Sequence, residues 1–353
     1  IMKKILFATT ALVATASVAA ADVTFSGYGR FGVKYSGSVA EVVNTATTAQ
    51  NNLVTSTGTT LSTATSDYNA APTIANLVAY EAAKAANDAA IAAKAAADLN
   101  TAAIASDTLI TTRLRLNIDA NTTTDSGVTF GAFVRVESTD AASNTFNAAR
   151  FYARSGGLEV AVGNIYGAMD SMPGAYGQSI GLTGLGFAGL VTNSEMTLSS
   201  TGVGAAGSKE SIEATYSVGD FSAHVSADGT DTEGFAAYTV SGFTVALAVS
   251  DSDVATSTET AATVSGKIGD VTVGAAWSET VGNSTQYTLS GAISVGAATT
   301  VNAYYSDNEA NTLDNDAYGI GFKHDLGAGS SLRGGIVSVN DRTMADFGVL
   351  FNF

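Results

Sequence analysis

His224 is flanked at two-residue steps by Ser222, Ser226 and Asp228, the residue types of a Ser-His-Asp hydrolase. On a strand, side chains two positions apart stand side by side on one face, so these four cannot converge on a reacting atom. His324 lies near a turn with no partner in its neighbourhood. Asp307, Glu309, Asn311 and Asp314 are spaced like a calcium loop, yet Thr312 stands where an EF-hand needs glycine and no closing glutamate follows. The expectation is no resident cofactor, and at most a loose, weak Ca2+ site in the acidic outer loops. The glycines from Gly181 to Gly189 form no nucleotide fingerprint, because no βαβ unit surrounds them. Charge remains: Arg30, Lys34, Arg113, Arg115, Arg135, Arg150 and Arg154 occupy alternate positions of four successive segments. One such cation is a solvated side chain; seven on one face of neighbouring strands make a wall that steers ions.

Strands must position that wall. From Val23 to Tyr35, Val23, Phe25, Phe31, Val33 and Tyr35 alternate with Thr24, Ser26, Tyr28, Arg30 and Lys34. The same period of two returns at 113–118, 128–137, 150–154 and 158–162, and repeats from Lys209 to the end. The last stretch places Ala345, Phe347, Val349, Phe351 and Phe353 on one face and Asp346, Gly348 and Asn352 on the other. Alone it would also serve as the last strand of a sandwich. The whole chain gives sixteen strands of about eight to twelve residues, close to the length that crosses a bilayer when tilted. Tight turns at 219–220, 241–242 and 269–270 alternate with long acidic links from Asp228 to Glu233, Asp251 to Glu259 and Asp307 to Asp316. Short links on one side and long ones on the other are the layout of an outer-membrane barrel. Tyr216, Phe221, Tyr238, Phe243 and Phe353 then form an interfacial girdle on the lipid side. The fold expected is all-β, a 16-stranded antiparallel transmembrane barrel.

Three segments break the rhythm. Residues 1–21 run from Lys3 and Lys4 through an apolar stretch to Ala19, Ala20 and Ala21, the pattern of a signal peptide cleaved after Ala21. No later stretch is long and apolar enough for a membrane helix. Residues 37–108 insert between strands 1 and 2, first Ser/Thr/Asn-rich and then alanine-dense. The latter part predicts one solvated helix over about 74–105, whose Leu77, Tyr80, Ile91 and Leu99 set no sustained heptad. Residues 164–208 form a long glycine-rich loop, of the kind that is usually functional. The net charge of −16 opposes nucleic-acid binding, and the absence of cysteine leaves stability to a closed hydrogen-bond ladder.

D-V-T-F-S-G-Y-G-R-F-G-V at 22–33, T-T-D-S-G-V-T-F-G-A at 123–132, G-N-I-Y-G at 163–167 and M-A-D-F-G-V-L-F-N-F at 344–353 together resemble the alphaproteobacterial general-diffusion porins of Gram-negative outer membranes. The resemblance covers 22–353 except 37–108. It implies an outer-membrane homotrimer amid lipid and lipopolysaccharide, with a third loop folded inward at 164–208. It also implies a water-filled channel for ions and small hydrophilic solutes, and a terminal aromatic, Phe353, as assembly signal. In such porins the inward loop opposes the basic wall with many acids. Here it holds only Asp170 and Glu195, so the transverse field is weaker than the family pattern. The basic wall favours anions and the acidic mouth cations, two opposed effects. The competing reading is a barrel scaffold displaying the helical insertion for adhesion.

Overall fold

The structure is a computed structural model, described here for residues 22–39, 48–97, 104–140, 146–185, 211–252, 258–280, 284–309 and 315–353. It divides into two compact units, a barrel and the segment Ser36–Asp107. The expected signal peptide at 1–21 lies outside the described residues.

The barrel strands are β1 (Asp22–Ser36), β2 (Asp107–Thr123), β3 (Thr129–Thr139), β4 (Arg150–Ser155), β5 (Leu158–Gly163), β6 (Ile212–Val218), β7 (Phe221–Ala227) and β8 (Asp231–Val240). They continue as β9 (Phe243–Ser252), β10 (Glu259–Ile268), β11 (Val271–Thr280), β12 (Ser284–Val295), β13 (Thr299–Asn308), β14 (Asp316–Gly327), β15 (Ser330–Val339) and β16 (Arg342–Asn352). Each pairs with its sequence neighbours, and β1 pairs with β16 to close the ring. At the seam Gly27 N donates to Phe353 O (3.0 Å) and Phe353 N to Gly27 O (3.1 Å). Closure leaves no sheet edge unpaired, which a bilayer demands because it offers backbone groups no partners.

The expected outer parity is exposed and apolar: Phe25, Phe31, Leu247, Leu289, Ile320 and Phe347 all stand in the open. An apolar belt on a sheet that buries its other face is stable only against hydrocarbon. Tyr216, Phe221, Tyr238 and Phe353 belong to it, while Phe243 lies half-buried over Gly266.

The tight turns form as expected. Ser241 and Gly242 both take positive φ (51° and 81°), the backbone of a two-residue hairpin turn whose twist matches its strands. The link at Asp228 is shorter than the sequence predicts, since β8 already begins at Asp231. Asp228 Oδ1 accepts from Thr230 N, Thr230 Oγ1 and Asp231 N at 3.0–3.1 Å, and Gly229 takes φ 95°, so the acid builds the turn instead of extending a loop.

The insertion is also corrected. It holds two helices, α1 (Thr48–Ala70) and α2 (Ile74–Ala97), and Ile104 pairs with Val39 in an antiparallel bridge instead of ending a helix at 105. Threonine is a poor helix former, but in α1 Thr55, Thr57, Thr59, Thr60, Thr63 and Thr65 return their hydroxyls to carbonyls one turn back at 2.7–3.2 Å. The helices meet along small and polar residues. Tyr68 stacks on Tyr80 (6.1 Å) and Thr57 Oγ1 donates to Asn87 Oδ1 (3.2 Å). On α2 the covered positions Asn76, Tyr80, Ala83, Asn87, Ala90 and Lys94 recur at steps of four and three. That is a heptad seam, invisible when only large apolar residues are counted.

Candidate permeation site

The loop after β5 enters the barrel and crosses its lumen. Residues 164–185 include one short helical turn, α3 (Ala168–Ser171), and bury Ile165, Met169, Met172, Ala175, Ile180, Leu182 and Leu185. Residues 186–210 lie outside the described residues, and Glu195 with them.

Wall side chains hold the loop by its backbone. Near its start, Tyr166 N donates to Glu213 Oε2 (3.1 Å), Ala168 N to Ser226 Oγ (2.9 Å) and Met169 N to Glu233 Oε2 (3.0 Å). Those acceptors sit on β6, β7 and β8, where the register pairs Glu213 with Ser226 and Ser226 with Glu233. Midway, Thr263 Oγ1 donates to Pro173 O and Asn302 Nδ2 to Ser179 O. At the far end Asp346 on β16 accepts from Leu182 N (2.8 Å), Thr183 N (2.6 Å) and Thr183 Oγ1 (2.6 Å), while Arg30 Nη1 donates to Leu182 O (3.1 Å).

Apolar contact complements these bonds. Met169, Met172 and Ala175 pack on a carpet of small residues, Ala237, Ala246, Ala248 and Ala261. Ile180 and Leu185 pack with Tyr304, Ala317 and Val337. The strands under Leu182 carry glycine: a Cβ on Gly32 or Gly348 would stand 2.6 Å from Leu182 Cδ2. Gly335 is likewise occupied, since its Cβ would overlap the Ile180 side chain and come within 2.9 Å of Gly181 N.

The seven predicted bases stand on β1 to β4, and the loop reaches this wall too, through Arg30 at Leu182 O (3.1 Å) and Arg135 at Tyr166 OH (3.2 Å). They are not bare. Arg113 and Arg115 share Glu137 (3.0 and 2.7 Å), and Arg115 covers the Tyr28 ring at 5.2 Å. Arg135 is buried, donating to Asn117 Oδ1 (2.9 Å) and to Tyr166 OH of the loop (3.2 Å). Arg150 bonds Glu159 (2.6 Å) and, through Nε, Glu213 (2.6 Å), which also bonds His224 Nε2 (3.0 Å). Arg154 stacks on Tyr152 at 5.4 Å beside the β4–β5 turn, away from Arg30 and Lys34 at the other end of the strands. A bare arginine wall is thus replaced by a braid of bases with Glu137, Glu159 and Glu213.

Asp170 is engaged by the Tyr176 hydroxyl, and burial, followed by that bond and the Asp170 charge, pushes the Tyr176 phenol above its ordinary pKa. His224 is 3% exposed and stacked edge-on to Phe235 (5.7 Å), so it belongs to the wall. Ser222 and Asp228 do not join it. Asp307 and Glu309 of the proposed calcium loop are described, and Glu309 Oε2 accepts from Thr285 N (3.0 Å); Asn311 and Asp314 lie outside the described residues. Among the described residues, no group of three or more His, Asp or Glu could hold a metal ion.

Sequence reading missed Glu213, Glu233 and Asp346 as loop anchors, and missed Arg333, whose Nε donates to Ser331 Oγ (3.0 Å) on the same lumenal face. The available signal was an acid among alanines or glycines on the wet parity.

A sixteen-strand closed barrel, narrowed by a loop pinned inside it and belted with apolar side chains, is a membrane channel. The sequence signature of Gram-negative porins matches residues 8–343. The chain belongs to the Gram-negative porin family. A curated relative, "Porin" from Fuscovulum blasticum, is 33% identical over 274 residues, covering 70% of this chain and 92% of that one. Solved structures of Rh. blastica porin variants superpose with TM-score 0.67 at 25% identity, covering 94% of this chain and 100% of theirs. A solved structure described as "Asymmetric conductivity of engineered proteins" superposes with TM-score 0.65 at 25% identity and the same coverage. The porin forms a channel across the outer membrane for ions and small hydrophilic solutes.

Proposed function

We propose that in this porin the pinned loop sets the calibre of passage and the braided wall of Arg30, Lys34, Arg113, Arg115, Arg135, Arg150 and Arg154 sets its charge bias. The observation that carries this is the loop itself, held across the lumen by Glu213, Ser226, Glu233 and Asp346 and bonded on the basic wall by Arg30 and Arg135. Among the described residues, Arg113 and Arg115 act against Glu137, and Arg150 against Glu159 and Glu213. The bias is therefore a mild preference for anions, moderated by the acidic chain around it. Asp170, tied to Tyr176, and Glu195 are the loop's contribution to the opposing field.

The channel reading calls for no chemistry of its own, and the histidine beside acid and serine, His224, is packed in the wall at 3% exposure. It needs no resident cofactor, with Ca2+ at most a loose counter-ion of the acidic outer loops. The apolar belt faces lipid and lipopolysaccharide, and the family resemblance supports a homotrimer with Phe353 as assembly signal. Planar-bilayer reversal potentials under a salt gradient test the bias. Replacing Arg113 and Arg115 by glutamine should move the potential toward cations, by about a twofold change in permeability ratio. An unmoved potential would remove both from the permeation path.

A further inference from the structure

The outer half of the lumen contains a cavity of about 550 Å³ between the loop tip and strands β1, β2, β15 and β16. Its floor is apolar, formed in part by Leu185, Val339 and Met344. Arg30, Lys34 and Asp140 border it. We propose that this cavity is a binding pocket for zwitterionic solutes bearing an apolar side chain, hydrophobic α-amino acids being the simplest members. The proposal rests on the channel reading, since solute must reach the lumen.

Three charged groups border one cavity without neutralising one another. None of Arg30, Lys34 and Asp140 takes part in an ion pair among the described residues. Opposite charges that line one cavity without pairing leave room between them for a ligand carrying both signs. Arg30 is fixed in place by its Nη1 bond to Leu182 O (3.1 Å), yet its Nε is buried with no acceptor. A guanidinium anchored through one nitrogen is held in place beside the cavity, where the donors it turns toward the space offer a carboxylate a charge-assisted bond. Lys34, about 13 Å further along β1, adds a second cation to the lining, and Asp140 supplies the counterpart for an ammonium group.

The floor decides the remainder of the ligand. A pocket that is apolar below and charged at its rim selects a solute with one greasy end and a polar head. A simple anion gains from Arg30 and Lys34 but is opposed by Asp140, and a simple cation meets the reverse. A sugar leaves the floor uncompensated. An amino acid such as leucine or phenylalanine satisfies both rim signs and the floor together.

Single-channel recording of the full-length protein in planar bilayers, with millimolar L-leucine or L-phenylalanine added on the outer side, tests this. Both should interrupt the current in a saturable way. Glycine, which leaves the floor empty, should need about tenfold higher concentration. N-acetyl-leucine lacks the ammonium and leucine amide the carboxylate, and each should also need about tenfold more. Asp140→Asn and Lys34→Gln should each weaken leucine block about three- to tenfold. N-acetyl-leucine blocking as well as leucine would reduce the site to a cation cluster and overturn the proposal. Normal open-channel conductance with no amino-acid block would overturn the pocket and leave the channel intact. A correctly assembled, heat-modifiable barrel without conductance would sink the channel reading and the pocket with it.

Discussion

Removing the Asp346 carboxylate should free the loop tip while leaving the barrel closed. Three donors converge on this one side chain, which is 5% exposed: the amides of Leu182 and Thr183 and the Thr183 hydroxyl, all within 2.8 Å. A hydrogen bond to a charged acceptor contributes about 1.5–3 kcal/mol, and orphaning buried amides adds to the loss. The three bonds share one acceptor and are not additive, so we take about 4 kcal/mol for Asp346→Ala. Ile180 and Leu182 remain buried and continue to hold the tip with roughly 1.5–3 kcal/mol each. A loss of about 4 kcal/mol raises the undocked population by about three decades. The tip should then leave its seat often enough to appear as flicker to higher conductance in single-channel traces. Asp346→Asn should fall between, because its NH2 group would face donors where the carboxylate oxygen accepted two bonds. The β15–β16 ladder lies in backbone groups that the substitution does not touch, so heat-modifiability should persist. Current as quiet as in the parent channel, from a folded Asp346→Ala barrel, would refute the anchoring role.

Three other outcomes follow from the same geometry. Gly335→Ala places a methyl group against Ile180 and Gly181 N, so it should unsettle the loop tip and alter conductance without loss of assembly, read in bilayers beside a gel-shift assay. Glu213→Gln strips Arg150 and His224 of a shared carboxylate that is 2% exposed. Breaking a buried pair costs about 3–5 kcal/mol, so the temperature at which the barrel loses its heat-resistant gel mobility should fall by several degrees. Tyr176 has a folded pKa raised above that of a free phenol, so its bond to Asp170 stabilises the loop fully below the free value and is lost as pH rises through the folded one. Ultraviolet titration of the parent and of Tyr176→Phe should differ by the loss of one late-ionising tyrosine in the variant.

The barrel was legible because its signal is geometric. Phe25, Phe31, Leu247 and Phe347 alternate with polar partners over strand after strand, and only a sheet explains a period of two. The seven bases were legible for the same reason, as they keep the parity of the wet face. What they touch was not. Glu137 lies 22 positions from Arg115, and Glu213 lies 63 from Arg150, distances that only the register closes. The helical nature of Thr48–Ala70 was hidden by propensity, since hydroxyl groups returning to carbonyls and a partner helix overrode what threonine prefers alone. The turn at Asp228 was misread because an acid that builds a turn and an acid that decorates a loop look alike in sequence.

The small residues under the inward loop extend this logic to the porin as a mould. Ala237, Ala246, Ala248 and Ala261 on one side, and Gly32, Gly335 and Gly348 on the other, are hollows shaped to Met169, Ile180 and Leu182. Loop and wall are complementary castings, so neither can be exchanged alone. A loop transplanted into a barrel whose wall carries leucines there would find no recess to occupy. Enlarging a few wall residues, with the loop sequence unaltered, would re-bore the channel from outside the loop.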